Sequence, residues 1–401
     1  MNRMLRTAAL MLVPALALLP SASASASVFV QCPGDTDGDA IIDHPDPDHP
    51  HAKCMHLAAG DGYAWMADGS ELYVFGFHDV TGVPPEHVMM AGMLAGQVPA
   101  PTITLDEGDE LYLTVTNVGM VVRSDLNDPH TVHFHGFPNA ASVFDGVPDA
   151  SLAVNMMSSY TYYYHVVVPG TFMYHCHVEA TEHMQMGMLG NLYVRPRQNR
   201  LPDGTDLNGF THHTGNKYVF NDGDGSTRYD VEFPIQLGSF DAYFHVMDET
   251  FQPPPFAALH DDYALINGRG YPDTVNPNPL PPSATTGRVS QQTSSLITVD
   301  QGQRLLLRIS NLNVTRFYTV RTSGLPLLVV GIDAKPLRGP TGVTEYYTTH
   351  SLTTGGGQAI DAIIDTTGVP KGTYFLYTSN LNYLSNSQED FGGMMTEIIV
   401  Q

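Results

Sequence analysis

The chain has 401 residues, 42% of them hydrophobic, with 18 Lys and Arg against 41 Asp and Glu for a formal charge of −23. That is enough apolar material for two domains of ordinary size. The acidic balance argues against nucleic acid or an anionic membrane as partner, and suits cationic partners, metal ions or plain solubility.

The first 26 residues read as a secretory signal. Arg3 and Arg6 give the positive flank, Ala8 to Pro20 is apolar, and Ala24-Ser25-Ala26 is a small-residue cleavage site. The apolar run is too short to span a bilayer, and no later run is long enough. The expectation is an exported protein, periplasmic or extracellular, without a membrane span. Cleavage would remove the two arginines and take the formal charge from −23 to −25.

Residues 27–59 form an acidic, His-rich arm. Asp35-Thr36-Asp37-Gly38-Asp39, with Asp43, resembles short calcium loops. Calcium is therefore an expected ligand of the arm, beside the plain reading of a solvated acidic turn. His44, His49, His51 and His56 follow, read as solvated loop residues or metal scavengers.

From about Gly60 the chain carries an internal repeat. The segment Ile103-Thr-Leu-Asp-Glu-Gly-Asp-Glu-Leu-Tyr-Leu-Thr-Val-Thr-Asn117 matches Ile297-Thr-Val-Asp-Gln-Gly-Gln-Arg-Leu-Leu-Leu-Arg-Ile-Ser-Asn311. Both alternate with period two and turn at a glycine, Gly108 or Gly302. Pro169-Gly170-Thr171-Phe172 echoes Lys371-Gly372-Thr373-Tyr374, and Gly187-Met188 echoes Gly393-Met394. Short strands recur with Gly, Pro, Asn and Asp between them, the pattern of Greek-key β-sandwiches. The expected organisation is an all-β chain with one domain at 60–196, a polar linker at 197–215 and a second domain at 216–401.

Two strings in the first copy carry chemistry. One is His130-Thr131-Val132-His133-Phe134-His135-Gly136; the other is His175-Cys176-His177, followed by His183 and Met188. One histidine on a strand is ordinarily structural, but this many potential ligands in two short strings are not. A thiolate, two imidazoles and a weak thioether are the donors of a blue-copper electron-transfer centre, here His130, Cys176, His183 and Met188. Alternation on a strand sends His175 and His177 to the face opposite Cys176, toward a second site with His133 and His135.

These strings resemble the multicopper oxidase family (laccases and relatives), and the related copper nitrite reductases. The resemblance implies two cupredoxin-like Greek-key β-sandwich domains. It implies blue-copper roles for His130, Cys176, His183 and Met188, and catalytic second-site roles for His133, His135, His175 and His177. With Cys176 assigned to copper, Cys32 and Cys54 remain to pair in an oxidising compartment. The second copy offers no such ligands: no histidine lies between His260 and His350, and none follows. Positions matching His175–His177 fall within Tyr377–Asn380, and Met394 is expected as core. Outside help would come from His49 and His51, or from His245, His260 or His350 across a subunit contact.

The expected activity is one-electron oxidation of a small-molecule or metal-ion donor at the blue copper, with electrons passed to the second copper. The alternative is an electron carrier or copper-binding protein descended from an oxidase. A homotrimer is the assembly considered. Met184 and Met186 are expected to pack around the blue site. The Met89, Met90 and Met93 cluster reads as core filler or a cuprous docking patch.

Overall fold

The computed structural model describes residues 31–138 and 140–401. The signal expected at 1–26 lies outside the described residues. Among the described residues, no helix is long and apolar enough to cross a membrane.

Period-two burial builds both domains. Strand β1 is Ala52–Trp65, β2 Glu71–Asp79, β3 Ala100–Asp106 and β4 Glu110–Gly119. Then come β5 His133–His135, β6 Ser159–His165, β7 Gly170–His175 and β8 Leu189–Arg195. They form two sheets, β2-β1-β4-β6 and β3-β8-β7-β5. Alternate residues Leu111, Leu113 and Val115 of β4 enter the core between them, with Cys176 and Met188. The second domain repeats the plan. One sheet contains Val231–Phe240, Arg304–Asn311 and Gln358–Asp365; the other contains Tyr318–Thr322, Gly372–Thr378 and Met395–Val400. Leu305, Leu307 and Ile309 fill its core while Leu306 and Arg308 take the opposite face. The all-β expectation and the two cupredoxin domains hold.

The first domain starts earlier than its sequence suggests. β1 pairs in parallel with β4 from Ala52 opposite Glu110, so the boundary placed at 59/60 falls inside a strand. The arm's polar composition hides this, because the early part of β1 is only half-buried. The arm is also stapled: Cys32 and Cys54 form the expected disulfide, with Cα atoms 5.8 Å apart. The segment 197–215 carries its own ordered turns, including the strand pair Asp206–Leu207 and Phe210–Thr211.

The domains meet sheet to sheet around a buried charge. Arg308 is fully buried and reaches Glu232 at 3.0 Å and Asp361 at 3.3 Å. Thr171 of β7 donates to Asp361 at 2.5 Å, and Tyr193 of β8 lies under the guanidinium at 4.7 Å. Removing one member of such a network strands the others without solvent. We predict that Arg308→Met destabilises the protein by about 3–5 kcal/mol, because Glu232 and Asp361 keep their charges without their partner. An unchanged denaturation midpoint would contradict this.

Candidate metal centre

β5 and β7 run side by side, with His133 directly opposite His175 and His135 opposite Met173. That register brings the two ligand strings together. Past the end of β7, Cys176 turns into the core and its backbone N–H donates to the Met188 carbonyl at 3.1 Å. The residues between His177 and His183 form a helical turn, α2 (Ala180–Gln185), which returns His183 over the sulfur. The chain then bends at Gly187, with φ +116°, where a Cβ would sit 2.9 Å from the Phe75 carbonyl oxygen. Glycine is needed there both for conformation and for space.

The sulfur of Cys176 lies 3.1 Å from His183 Nδ1 and 3.8 Å from His130 Nδ1. All three residues and Met188 are fully buried, and Cys176 is the free cysteine of the chain. Burial pushes the thiol up, but the His183 charge and hydrogen bonds from His130 and His183 outweigh it and hold it well below its ordinary value. In His183, burial acts downward and is outweighed by the Cys176 thiolate and Asp128, raising it to about 10. The Thr131 backbone N–H points at the sulfur from 3.4 Å. A thiolate, two convergent imidazole nitrogens and a buried thioether residue form a donor set that fits one copper ion.

The neighbouring histidines form a separate group on the other face. Donor nitrogens of His133, His135 and His175 all lie within 4.8 Å of one another. His177 stands at the edge of this group, its ring centre 5.1 Å from that of His133. His133 Nδ1 is 2.6 Å from the Asp145 carbonyl oxygen and His175 Nδ1 is 2.8 Å from the Cys176 carbonyl oxygen. An N–H at each Nδ1 satisfies those acceptors and leaves Nε2 free as a metal donor. Burial pushes His133 and His135 down, and His175 to about 3, so the rings are neutral, the ligating form.

Several contributors were not legible in the sequence. Asp128 places a carboxylate oxygen 3.9 Å from His183 Nε2. Its only signal is a carboxylate two residues before His130. The second domain walls the histidine group: a cavity of about 400 Å³ is lined by His135, His175 and His177 on one side, and by Asn313, Arg316 and Gly357 on the other. A Cβ on Gly357 would lie 2.7 Å from His135 Nε2. None of these second-domain residues is a histidine.

The pseudo-equivalent site in the second domain can be read bond by bond. Thr378 N–H donates to the Met394 carbonyl, as Cys176 does to Met188, and Met394 N–H donates to Tyr383, as Met188 does to His183. Strand register sets Arg321 opposite Tyr377 as His133 is opposite His175, which puts Tyr318 at the His130 position. Tyr318 and Tyr383 lie with ring centres 5.2 Å apart, against 5.1 Å for His130 and His183. Tyr, Thr, Tyr and Met thus occupy the places of His, Cys, His and Met. Met394 is fully buried, as expected of core. We predict that full-length chain carrying Cys176→Ser, His135→Ala and His175→Ala retains no tightly held copper. Stoichiometric metal in that variant would place a site outside the two proposed centres.

Other expected contributors are engaged elsewhere. His49 Nδ1 contacts Glu110 at 2.7 Å, and His260 is exposed beside Asp262. His245 is fully buried between backbone carbonyls. Met186 is fully buried in the same core as Cys176 and Met188, while Met184 lines the histidine cavity. Met90 and Met93, on and just after the helix α1 (Pro85–Gly92), are exposed. In the arm, Asp35, Asp37 and Asp39 cluster, but Asp35 accepts N–H bonds from Gly38 and Ala40, and Asp39 accepts one from Ile41.

Models of the multicopper oxidase family match the chain over residues 80–199 and 240–401, which together make up most of it. Laccase abr2 of Aspergillus fumigatus is 27% identical over 281 residues, 60% of this chain and 44% of that protein. Laccase-5 of Arabidopsis thaliana is 25% identical over 311 residues, 76% of this chain and 44% of that protein. The chain thus spans less than half the length of these relatives. The blue copper oxidase of Nitrosomonas europaea superposes with a TM-score of 0.61 at 22% identity, covering 86% of this chain and 85% of that one. The copper nitrite reductase of the same organism superposes with a TM-score of 0.53 at 17% identity, covering 86% and 93%. At these identities the superpositions establish the shared fold alone.

Proposed function

Since the chain belongs to the multicopper oxidase family, with the copper dependence that membership implies, we propose that it is an exported oxidoreductase that takes single electrons at a blue-copper centre. His130, Cys176, His183 and Met188 hold that centre in this reading. His133, His135, His175 and His177 hold a second copper at the catalytic site. Bound copper supplies one-electron redox chemistry that no side chain offers unaided.

The observation that carries the reading is the placement of Cys176 between His175 and His177. One strand end sends its thiol into the core and its flanking imidazoles to the opposite site, so the two sites are joined by covalent bonds. The chain's residues then divide the remaining work. Full burial of His130, Cys176, His183 and Met188 excludes water from the sulfur. The Thr131 N–H steadies the thiolate. Asp128 orients His183 through its Nε2, and in this reading the acidic chain favours a cationic or hydrogen-bonding donor, either a small molecule or a metal ion.

A second reading keeps support from one observation: the second domain carries no imidazole at the four positions equivalent to the histidine group. An electron carrier or copper-binding protein descended from an oxidase would need none. A homotrimer would be read by sedimentation. The histidine cavity is walled within one chain, so the reading does not require a neighbouring subunit. Copper quantification with absorption and EPR spectra of the purified protein tests the proposal. More than one copper per chain, only part of it blue, is expected; a colourless copper-loaded protein would sink it.

A further inference from the structure

We infer that His245, in the copper-free second domain, is a positioning residue for the blue-copper loop of the first. The inference rests on the blue-centre reading above.

Helix α3 (Ala242–Glu249) follows the long strand Val231–Phe240 and is capped by Asp241, whose carboxylate accepts the Phe244 N–H at 3.0 Å. The helix lies against β2, and Asp248 in its last turn pairs with Arg123 of the first domain. His245 enters the gap between the domains and is fully buried. Its Nδ1 is 2.6 Å from the Tyr73 carbonyl oxygen on β2, and its Nε2 is 3.1 Å from the Gln185 carbonyl oxygen. Phe240 covers the ring with centres 4.6 Å apart.

Gln185 lies inside the six-residue segment His183–Met188 that carries two of the four proposed ligands. The next residue, Met186, offers its carbonyl to the Phe75 N–H at 2.9 Å. The Phe75 ring in turn meets His183 edge-on, with centres 5.6 Å apart. One imidazole therefore ties α3, β2 and the ligand loop at a single point. The neutral ring donates one N–H, the protonated ring two. Burial holds the ring down, to about 4, against the pull of the two carbonyls. Only the protonated ring satisfies both carbonyls, so at neutral pH a single N–H bonds one of them, and the ring's burial against Phe240 and the two backbones fixes the rest of the joint.

This gives the second domain a part in the redox site although it holds no copper. Blue-copper potential depends on the weak axial ligand and on the apolar surroundings of the sulfur. A loop freed at Gln185 lets Met188 withdraw and water approach, which favours the oxidised ion.

The test compares wild type, His245→Phe and His245→Gln, each copper-loaded, by visible and EPR spectra and by reduction potential. His245→Phe removes every polar contact of the ring. Its potential is expected to fall and its copper hyperfine splitting to change, with His245→Gln returning both toward wild type. In the copper-free proteins, amide exchange across residues 183–188 should quicken in His245→Phe. Should that variant not fold, His245→Asn, too short to reach both carbonyls, is expected to show the same fall. A wild-type potential and EPR spectrum in a folded His245→Phe or His245→Asn overturns the inference. A wild type without a blue band overturns the blue-centre reading instead, and the exchange measurement still reports on the loop.

Discussion

Cys176→Ser is expected to abolish the intense visible band of the copper-loaded protein completely. The band of a blue centre comes from charge transfer out of a thiolate, and Cys176 supplies the only free sulfhydryl in the chain. Two imidazole nitrogens approach its sulfur, at 3.1 and 3.8 Å, inside a pocket closed to solvent. A serine hydroxyl there is harder and stays protonated at neutral pH, so it replaces neither the ligand nor the chromophore. The substitution conserves shape, and the fold should survive, which circular dichroism would establish. The histidine group on the other face keeps its ligands, so the variant should still bind some copper, without colour. A residual blue band in Cys176→Ser would assign the centre to other residues.

How much of this was written locally in the chain follows from which contacts are local. The two ligand strings were legible because each is a few residues long and their strands pair directly, His133 against His175. The repeat was legible because period-two burial repeats on β4 and on Arg304–Asn311. The disulfide followed from having two cysteines left over. Asn313, Arg316 and Gly357 reach the histidine cavity from the second domain, and no spacing rule joins them to His135. Tyr318 and Tyr383 stand in for ligands only once backbone bonds define the equivalence, since a tyrosine in a core strand has no distinguishing pattern. His245 looked like one more histidine because its two partners are backbone carbonyls, which carry no residue identity. The start of β1 was missed because parallel pairing with β4 recruits residues whose composition reads as loop.

The second large effect is expected at the histidine group. His135→Ala should lower copper content by about one ion per chain and leave the blue band at full intensity. His133, His135 and His175 bring donor nitrogens within 4.8 Å of one another, so a single ion can engage all three. Deleting His135 leaves His133 and His175, with His177 at the edge, and an opening toward Gly357, whose lack of a side chain offers no replacement. The loss of affinity should be at least the roughly 10–100-fold that removal of a mere supporting partner costs at a metal site. The blue site should not respond, because its residues face the core on the other side of the strand. Oxygen consumption with a phenolic or cuprous donor is a separate measurement, and it is expected to be weak in the wild type. The second domain presents Arg321, Ser323, Tyr377 and Ser379 where the first presents His133, His135, His175 and His177. A site built on the four imidazoles of one domain can pass electrons but has few ligands to hold several ions around oxygen. Should wild-type copper saturate at one per chain with a purely blue spectrum, His135→Ala would have no ion to lose, and the electron-carrier reading would become the better account of the same strands.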